Sequence, residues 1–129
     1  MHTYRRVLLV ENDPLALLTF TLALQSEGLE VLGAGTGREA MRILRDAAAG
    51  VAAAVIDLDL RAGDGYALGR SARALKADLP VFYLAGAARP EFEGARVPDG
   101  ELVVKPVSPQ ALARRVREAA ARADLKPGG

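Results

Sequence analysis

Short apolar runs alternate with capped helical segments along the chain, and this alternation limits the possible folds more than any other feature. Val7-Leu8-Leu9-Val10 is a continuous apolar run, the pattern of a strand buried on both faces. Asp13-Pro14 follows: a capping residue, then proline at the first helical position, where its missing N–H costs nothing. Leu15, Leu18, Leu22 and Gln25 trace one face of the helix launched there, and Gly28 stops it. Leu29 to Ala34 reads as a second strand. Thr36-Gly37-Arg38-Glu39 is a capping box that opens a second helix, running to about Ala49. Val51 to Leu58 is a third buried strand, with the β-branched pair Val55-Ile56 at its centre. A turn at Gly63-Asp64-Gly65 precedes a third helical stretch to about Ala77, and Pro80 to Leu84 is a fourth strand. Beyond it, Pro90, Gly94, Pro98 and Gly100 leave room for one helical turn around Glu91 to Glu93. Leu102-Val103-Val104 is a short fifth strand. Ser108-Pro109 repeats the cap-and-proline device and launches a last helix, with Leu112, Val116, Ala119 and Ala123 on its inner face.

Strands taking turns with helices imply an α/β fold of right-handed βαβ units, with a parallel sheet covered on both faces. The chain has 129 residues, half of them hydrophobic, which suits one domain and falls short of two. The folded unit is expected to span residues 1–123, leaving 124–129, which end in Lys126-Pro127-Gly128-Gly129, as a flexible tail. Seventeen basic against sixteen acidic residues argue against direct DNA binding, which calls for a basic stripe. Without cysteine there is no disulfide framework, zinc–thiolate site or thiol nucleophile. No apolar stretch reaches the eighteen or so residues of a membrane span, so a soluble, cytoplasmic protein is expected.

In open α/β sheets, ligands bind outside the carboxyl ends of the strands. Here those ends are charged. The first strand ends in Glu11-Asn12-Asp13, the third runs Val55-Ile56-Asp57-Leu58-Asp59, and the fifth ends in Val103-Val104-Lys105-Pro106. Opposite charges from three strands at one rim suit a hard divalent cation and a phosphoryl group. Magnesium takes a few carboxylate oxygens plus water and phosphate, and an ammonium neutralises phosphoryl oxygens as a point charge. A central carboxylate can itself attack phosphorus and form an acyl phosphate. Taken singly, each residue has a plainer explanation: Asp13 before Pro14 as a helix cap, Asp59 and Asp64-Gly65 as turn residues, Lys105 as a solvated strand end. Their joint placement is what points to chemistry.

Over essentially its whole length the chain resembles the receiver domain of bacterial two-component response regulators. The resemblance rests on Val7–Pro14 (VLLVENDP), Ala54–Gly65 (AVIDLDLRAGDG), Pro80–Gly86 (PVFYLAG) and Val103–Pro106 (VVKP). It implies a flavodoxin-like (βα)5 three-layer sandwich with sheet order 2-1-3-4-5, here with the fourth helix short or missing. By the same resemblance, Asp57 is the aspartate phosphorylated by a histidine kinase or histidine phosphotransfer protein. Glu11 and Asn12 occupy the two acidic positions after the first strand, and Asp59 offers a backbone carbonyl to Mg2+. Lys105 is the phosphoryl-contacting lysine, Pro106 the proline commonly preceded by a cis peptide, and Gly65 part of a tight turn.

Two departures from that pattern stand out. Asn12 replaces a direct magnesium ligand of the family, which implies weakened Mg2+ binding. Ala85 replaces the Ser/Thr that follows the phosphoryl group, and Leu102 stands at the usual aromatic switch position, which together imply a weakened conformational response. Proline is commoner in the family where Arg61 stands. Gly86, directly after Ala85, resembles a subset of single-domain regulators. The chain ends about where a receiver ends, so the expected protein is a stand-alone receiver acting through protein–protein interaction. With the fourth helix reduced, a monomer is favoured over a dimer through that face.

Two other function classes are open to the same residues. A pseudo-receiver would keep the fold as a phosphorylation-independent binding module, which Asn12 and Ala85 favour. Asp57-Leu58-Asp59-Leu60 also resembles the DxD nucleophile motif of haloacid-dehalogenase-like phosphatases, whose second aspartate is a general acid. That motif stands near the start of its fold, whereas two βα units precede it here and no later acidic pair follows. Gly33-Ala34-Gly35-Thr36-Gly37 has Arg38 where a dinucleotide fingerprint needs its third glycine, so these glycines read as loop residues. His2 needs no role. The expected protein is therefore a phosphoacceptor rather than an enzyme.

Overall fold

In the computed structural model, residues 5–60, 65–86 and 94–123 are described. Five strands lie parallel: β1 (Arg6–Val10), β2 (Glu30–Ala34), β3 (Val51–Asp57), β4 (Val81–Ala85) and β6 (Gly100–Val104). A two-residue strand, β5 (Arg96–Val97), pairs antiparallel with β6 and forms one sheet edge, giving the order β2-β1-β3-β4-β6-β5. The parallel part has the 2-1-3-4-5 order of a flavodoxin-like sandwich, with β6 as its fifth strand.

Period-two alternation divides the core in two. Val7, Leu9, Val55, Phe82, Leu84 and Val103 face α1 (Pro14–Ser26) and α4 (Pro109–Ala123). Leu8, Val10, Ile56, Tyr83, Ala85 and Leu102 face α2 (Gly37–Ala47) and α3 (Gly65–Leu75). Strands covered on both sides have no polar face, which is why their sequences are unbroken apolar runs.

The caps are made as the sequence suggests. Asp13 Oδ1 accepts from the Leu15 amide at 3.2 Å, and Thr36 Oγ1 from the Glu39 amide at 3.1 Å. Glu39 returns a carboxylate oxygen to the Gly35 amide at 3.0 Å, one residue short of the reciprocal box bond. Ser108 Oγ accepts from the Ala111 amide at 3.2 Å. Gly28 holds φ at +80°, a left-handed stop.

Two features go beyond the sequence reading. The face of α1 marked by Leu15, Leu18 and Leu22 points outward, with these residues 70%, 55% and 57% exposed, and the helix packs instead through Phe20, Ala23 and Leu24. Apolar residues surround this helix, so periodicity carried little information about its buried side; the large Phe20 ring decides it. The sheet also has an edge strand that the five-strand reading lacked. Pro98-Asp99 turns the chain back, with Asp99 at φ +67°, and Arg96–Val97 pairs with Gly100 and Glu101. The helical turn expected around Glu91 to Glu93, the turn at Gly63-Asp64, Arg61, His2 and the tail 124–129 lie outside the described residues. Among the described residues no helix is long and apolar enough to cross a membrane.

Candidate functional site

The carboxyl ends of β1, β3 and β6 bring three charged residues together. Glu11 extends β1 by one residue, its amide donating to the Ala34 carbonyl at 3.0 Å, and is 2% exposed. Asp57 closes β3 and is 1% exposed. Lys105 follows β6, anchored by its amide to the Ala85 carbonyl at 2.9 Å. Its Nζ donates to Asp57 Oδ2 at 2.8 Å, and its side chain is 30% exposed. The other Asp57 oxygen, Oδ1, accepts from the Asp59 amide at 2.8 Å. Both acceptor oxygens are therefore oriented, one by an ammonium and one by backbone.

Glu11 is held differently. Its Oε1 accepts from the Asp13 amide at 3.0 Å, while Oε2 is buried with no hydrogen-bond partner among the described residues. An orphaned carboxylate oxygen beside a second carboxylate is a place where a cation would be satisfied. Burial, followed by the neighbouring Asp57 carboxyl, pushes the Glu11 carboxyl up to about 7. Burial alone would also raise Asp57. The Glu11 carboxyl, the Lys105 ammonium and the Asp59 amide outweigh it and hold Asp57 below the usual carboxylate range. Burial works against the charge on Lys105, but its Asp57 partner raises the ammonium above its ordinary value. At neutral pH the pocket holds an ionised Asp57 and a charged Lys105 beside a Glu11 carboxyl that burial makes harder to ionise than usual.

The remaining candidates surround this cluster. Asn12 is half-buried beside Glu11. Asp59 is exposed, with its carboxylate 3.8 Å from Lys105 Nζ. A Cβ on Gly86 would stand 3.1 Å from that carboxylate, so a larger residue would crowd the rim. Ala85 is buried at the end of β4, and Leu102 is buried one strand away on the same face. The Lys105–Pro106 peptide is cis. Gly65 starts α3 against the Asp57 carbonyl: a Cβ there would come within 3.2 Å of that oxygen and 2.9 Å of Leu58 Cδ2. An open groove of about 430 Å³, lined by Ala16, Phe20, Gly86, Lys105, Pro106 and Val107, leads from the cluster along α1. Another cavity, of about 350 Å³, lies at the amino ends of β4 and β6 and is lined by Arg73, Arg96, Glu101 and Arg122, away from these carboxylates.

Among the described residues no three acidic, imidazole or thiol groups form a metal-ligand cluster. The carboxylates at hand are those of Glu11 and Asp57, and the neighbouring residue Asn12 adds a side-chain amide. Magnesium is commonly held by one or two carboxylates with water completing its shell, so these residues fit such an ion. Sequence reasoning overlooked the backbone clamps on Glu11 and Asp57, which belong to the amides of Asp13 and Asp59. Both follow the carboxylate by two residues, the spacing of an Asx-type turn, and that spacing was the available signal.

A parallel sandwich with a buried acid, an ammonium and, among the described residues, an unsatisfied carboxylate oxygen at its carboxyl rim is suited to a cation and a phosphoryl group. The chain belongs to the response regulator receiver domain family, whose model matches residues 7–117. Receiver domains take a phosphoryl group on themselves rather than turning over a substrate, and they work in phosphorelay signalling. Similar solved structures include a CheY-like receiver domain protein from Methanospirillum hungatei, 24% identical with a TM-score of 0.82, covering 97% of this chain and 100% of that one. A response regulator receiver protein from Sinorhizobium medicae is 26% identical, with a TM-score of 0.78 over 92% of this chain and 95% of its own. The receiver domain of the hybrid histidine kinase CckA is 26% identical, with a TM-score of 0.76 over 89% of this chain and 98% of its own. Among curated proteins no match to the sequence was found.

Proposed function

We propose that Asp57 accepts a phosphoryl group from a phosphohistidine on a histidine kinase or phosphotransfer protein. The observation that carries this reading is the buried Asp57 carboxylate, ionised and aimed by Lys105 Nζ at 2.8 Å and by the Asp59 amide at 2.8 Å. An Asp57 oxygen forms the new O–P bond as the imidazole N–P bond breaks. The bonding pair stays on the imidazole nitrogen, which takes a proton from solvent. Lys105 stays charged throughout and counters the negative oxygens arriving beside it. Glu11, Asn12, Asp57 and the Asp59 carbonyl are the groups that would hold Mg2+, which when bound neutralises phosphoryl oxygens. Asn12 brings an oxygen without a charge, so this protein should need more Mg2+ than a receiver with an acid there.

The same reading assigns the outward leucines of α1. Leu15, Leu18 and Leu22 rise from the end of the helix whose cap, Asp13, also binds Glu11 through its amide. They form an exposed apolar strip on α1, while a separate groove lined by Ala16, Phe20, Pro106 and Val107 opens beside Lys105. A donor helix lying on that strip would dock on the helix whose capped start adjoins Glu11.

Intact mass after incubation with acetyl phosphate tests the proposal. A single phosphoryl adduct is expected in Mg2+, reduced in EDTA and absent from Asp57→Asn. Asn12 and Ala85 favour a second reading, a phosphorylation-independent binding module. No adduct at any Mg2+ concentration would establish that reading in place of the first.

A further inference from the structure

Tyr83 lies at the centre of β4, between Ile56 of β3 and Leu102 of β6, on the face covered by α3. It is fully buried, yet its hydroxyl has no hydrogen-bond partner among the described residues. Two glycines make room for the ring. A Cβ on Gly69 of α3 would collide with the hydroxyl and stand 2.7 Å from Cζ, and one on Gly100 of β6 would stand 2.8 Å from Cε2. Tyr66, also on α3, packs its ring 4.8 Å away at 54°.

The helix that clamps Tyr83 begins at the pocket. Gly65 is pressed against the Asp57 carbonyl, and the Asp59 amide, on the segment leading to α3, is bonded to Asp57 Oδ1. A group added to Asp57 Oδ1 would displace that amide bond, and one on Oδ2 would withdraw charge from the oxygen that accepts it; α3 is the next element along the chain. At its other end the clamp is the β5–β6 hairpin, through Gly100. Ala85 and Leu102, on the same face as Tyr83, offer neither a hydroxyl nor an aromatic ring.

We propose that Tyr83 is the conformational relay of this protein: a phosphoryl group on Asp57 shifts the start of α3, and the Tyr83 ring, loosened between Gly69 and Gly100, passes the change to the β5–β6 hairpin. The relay rests on the reading of Asp57 as phosphoacceptor. The present position of the hydroxyl is unfavourable, because a buried polar group has no partner among the described residues, so movement that gives it one is favoured. The elements forming the clamp carry suitable partners: Arg70 and Arg73 on α3 and Asp99 in the hairpin turn all act electrostatically on this hydroxyl. A packed ring between two small residues moves between discrete positions rather than yielding gradually.

The chain has three tyrosines and no tryptophan, so fluorotyrosine NMR reports on it with few signals. Signals from Tyr4, Tyr66 and Tyr83 would be assigned by single Phe substitutions, and the full-length protein treated with acetyl phosphate and Mg2+. The Tyr83 signal should shift in proportion to the fraction of adduct seen by mass, while the Tyr4 signal stays in place. An adduct on Asp57 with an unmoved Tyr83 signal would overturn the relay alone; no adduct at all would overturn the acceptor reading and the relay with it. Tyr83→Phe removes only the unpaired hydroxyl and should fold. In the natural protein, phosphorylation should speed hydrogen exchange in the β5–β6 hairpin by about fivefold or more, falling below about twofold in Tyr83→Phe. An unchanged ratio in that variant would mean that Tyr83 is only packing, and would refute the relay.

Discussion

Replacing Lys105 with methionine keeps most of the side-chain volume and removes the charge that faces Asp57. At the observed 2.8 Å, two unit charges attract by about 6 kcal/mol at an effective dielectric of 20. Much of that is cancelled by the cost of taking both ions out of water, and breaking a fully buried pair costs roughly 3–5 kcal/mol. Here the lysine side chain is 30% exposed, so water can enter beside Asp57 once the ammonium is gone. A loss of about 2 kcal/mol at neutral pH follows, or roughly 6–10 °C in melting temperature for a domain of this size. The loss must depend on pH. Asp57 is held below its ordinary value in the folded protein, so its stabilisation is present above the unfolded carboxylate pKa and disappears as pH falls through the folded value. Without Lys105 that depression shrinks, and the difference between variant and natural protein should narrow as Asp57 protonates in acid. Urea unfolding in EDTA at a series of pH values measures it. A deficit equally large at neutral and acid pH, or no deficit at all, would refute the electrostatic account of the pair.

Glu11 gives the opposite slope. Its folded pKa of about 7 stands above the ordinary 4.5, so in metal-free protein its contribution is fully present below the unfolded value and is lost as pH rises through 7. Glu11→Gln should flatten that decline in a pH series of melting curves, and Mg2+ should flatten it in the natural protein by satisfying the orphaned oxygen. Asn12→Asp restores a charge beside Glu11 and should tighten Mg2+ binding by about tenfold in a calorimetric titration; an unchanged affinity would remove Asn12 from the cation site. Leu18→Asp should slow phosphoryl transfer from a phosphohistidine protein at least about tenfold, because it places a charge in the apolar contact. Its rate with acetyl phosphate should stay the same, and equal slowing with both donors would argue against the α1 docking strip.

The parts of the fold legible in the sequence are those that local physics writes locally. Val7–Val10 and Val51–Asp57 are apolar throughout because both faces are covered, and Asp13-Pro14, Thr36 and Ser108-Pro109 mark helix starts by their hydrogen-bonding chemistry. Strand ends follow from the same runs, so the sequence pattern alone assigns Glu11, Asp57 and Lys105 to one rim. What stayed hidden depends on contacts between distant segments. Arg96–Val97 is a strand only because Gly100 and Glu101 lie beside it, and two residues have no periodicity to read. The outward turn of Leu15, Leu18 and Leu22 is set by Phe20 fitting against the sheet. Tyr83 looks like any strand aromatic until Gly69 and Gly100, distant in the chain, are seen to enclose its ring.

The direct test of the central claim is the position of the modified atom. Borohydride reduces an aspartyl phosphate to homoserine, which marks its residue permanently, so protein treated with a phosphohistidine donor, reduced and sequenced by tandem mass spectrometry reveals the acceptor. Homoserine at position 57 is the predicted result. Homoserine at position 59, hydroxynorvaline at position 11 (the reduced form of a glutamyl phosphate), or no reduced residue at all would contradict the assignment of the pocket.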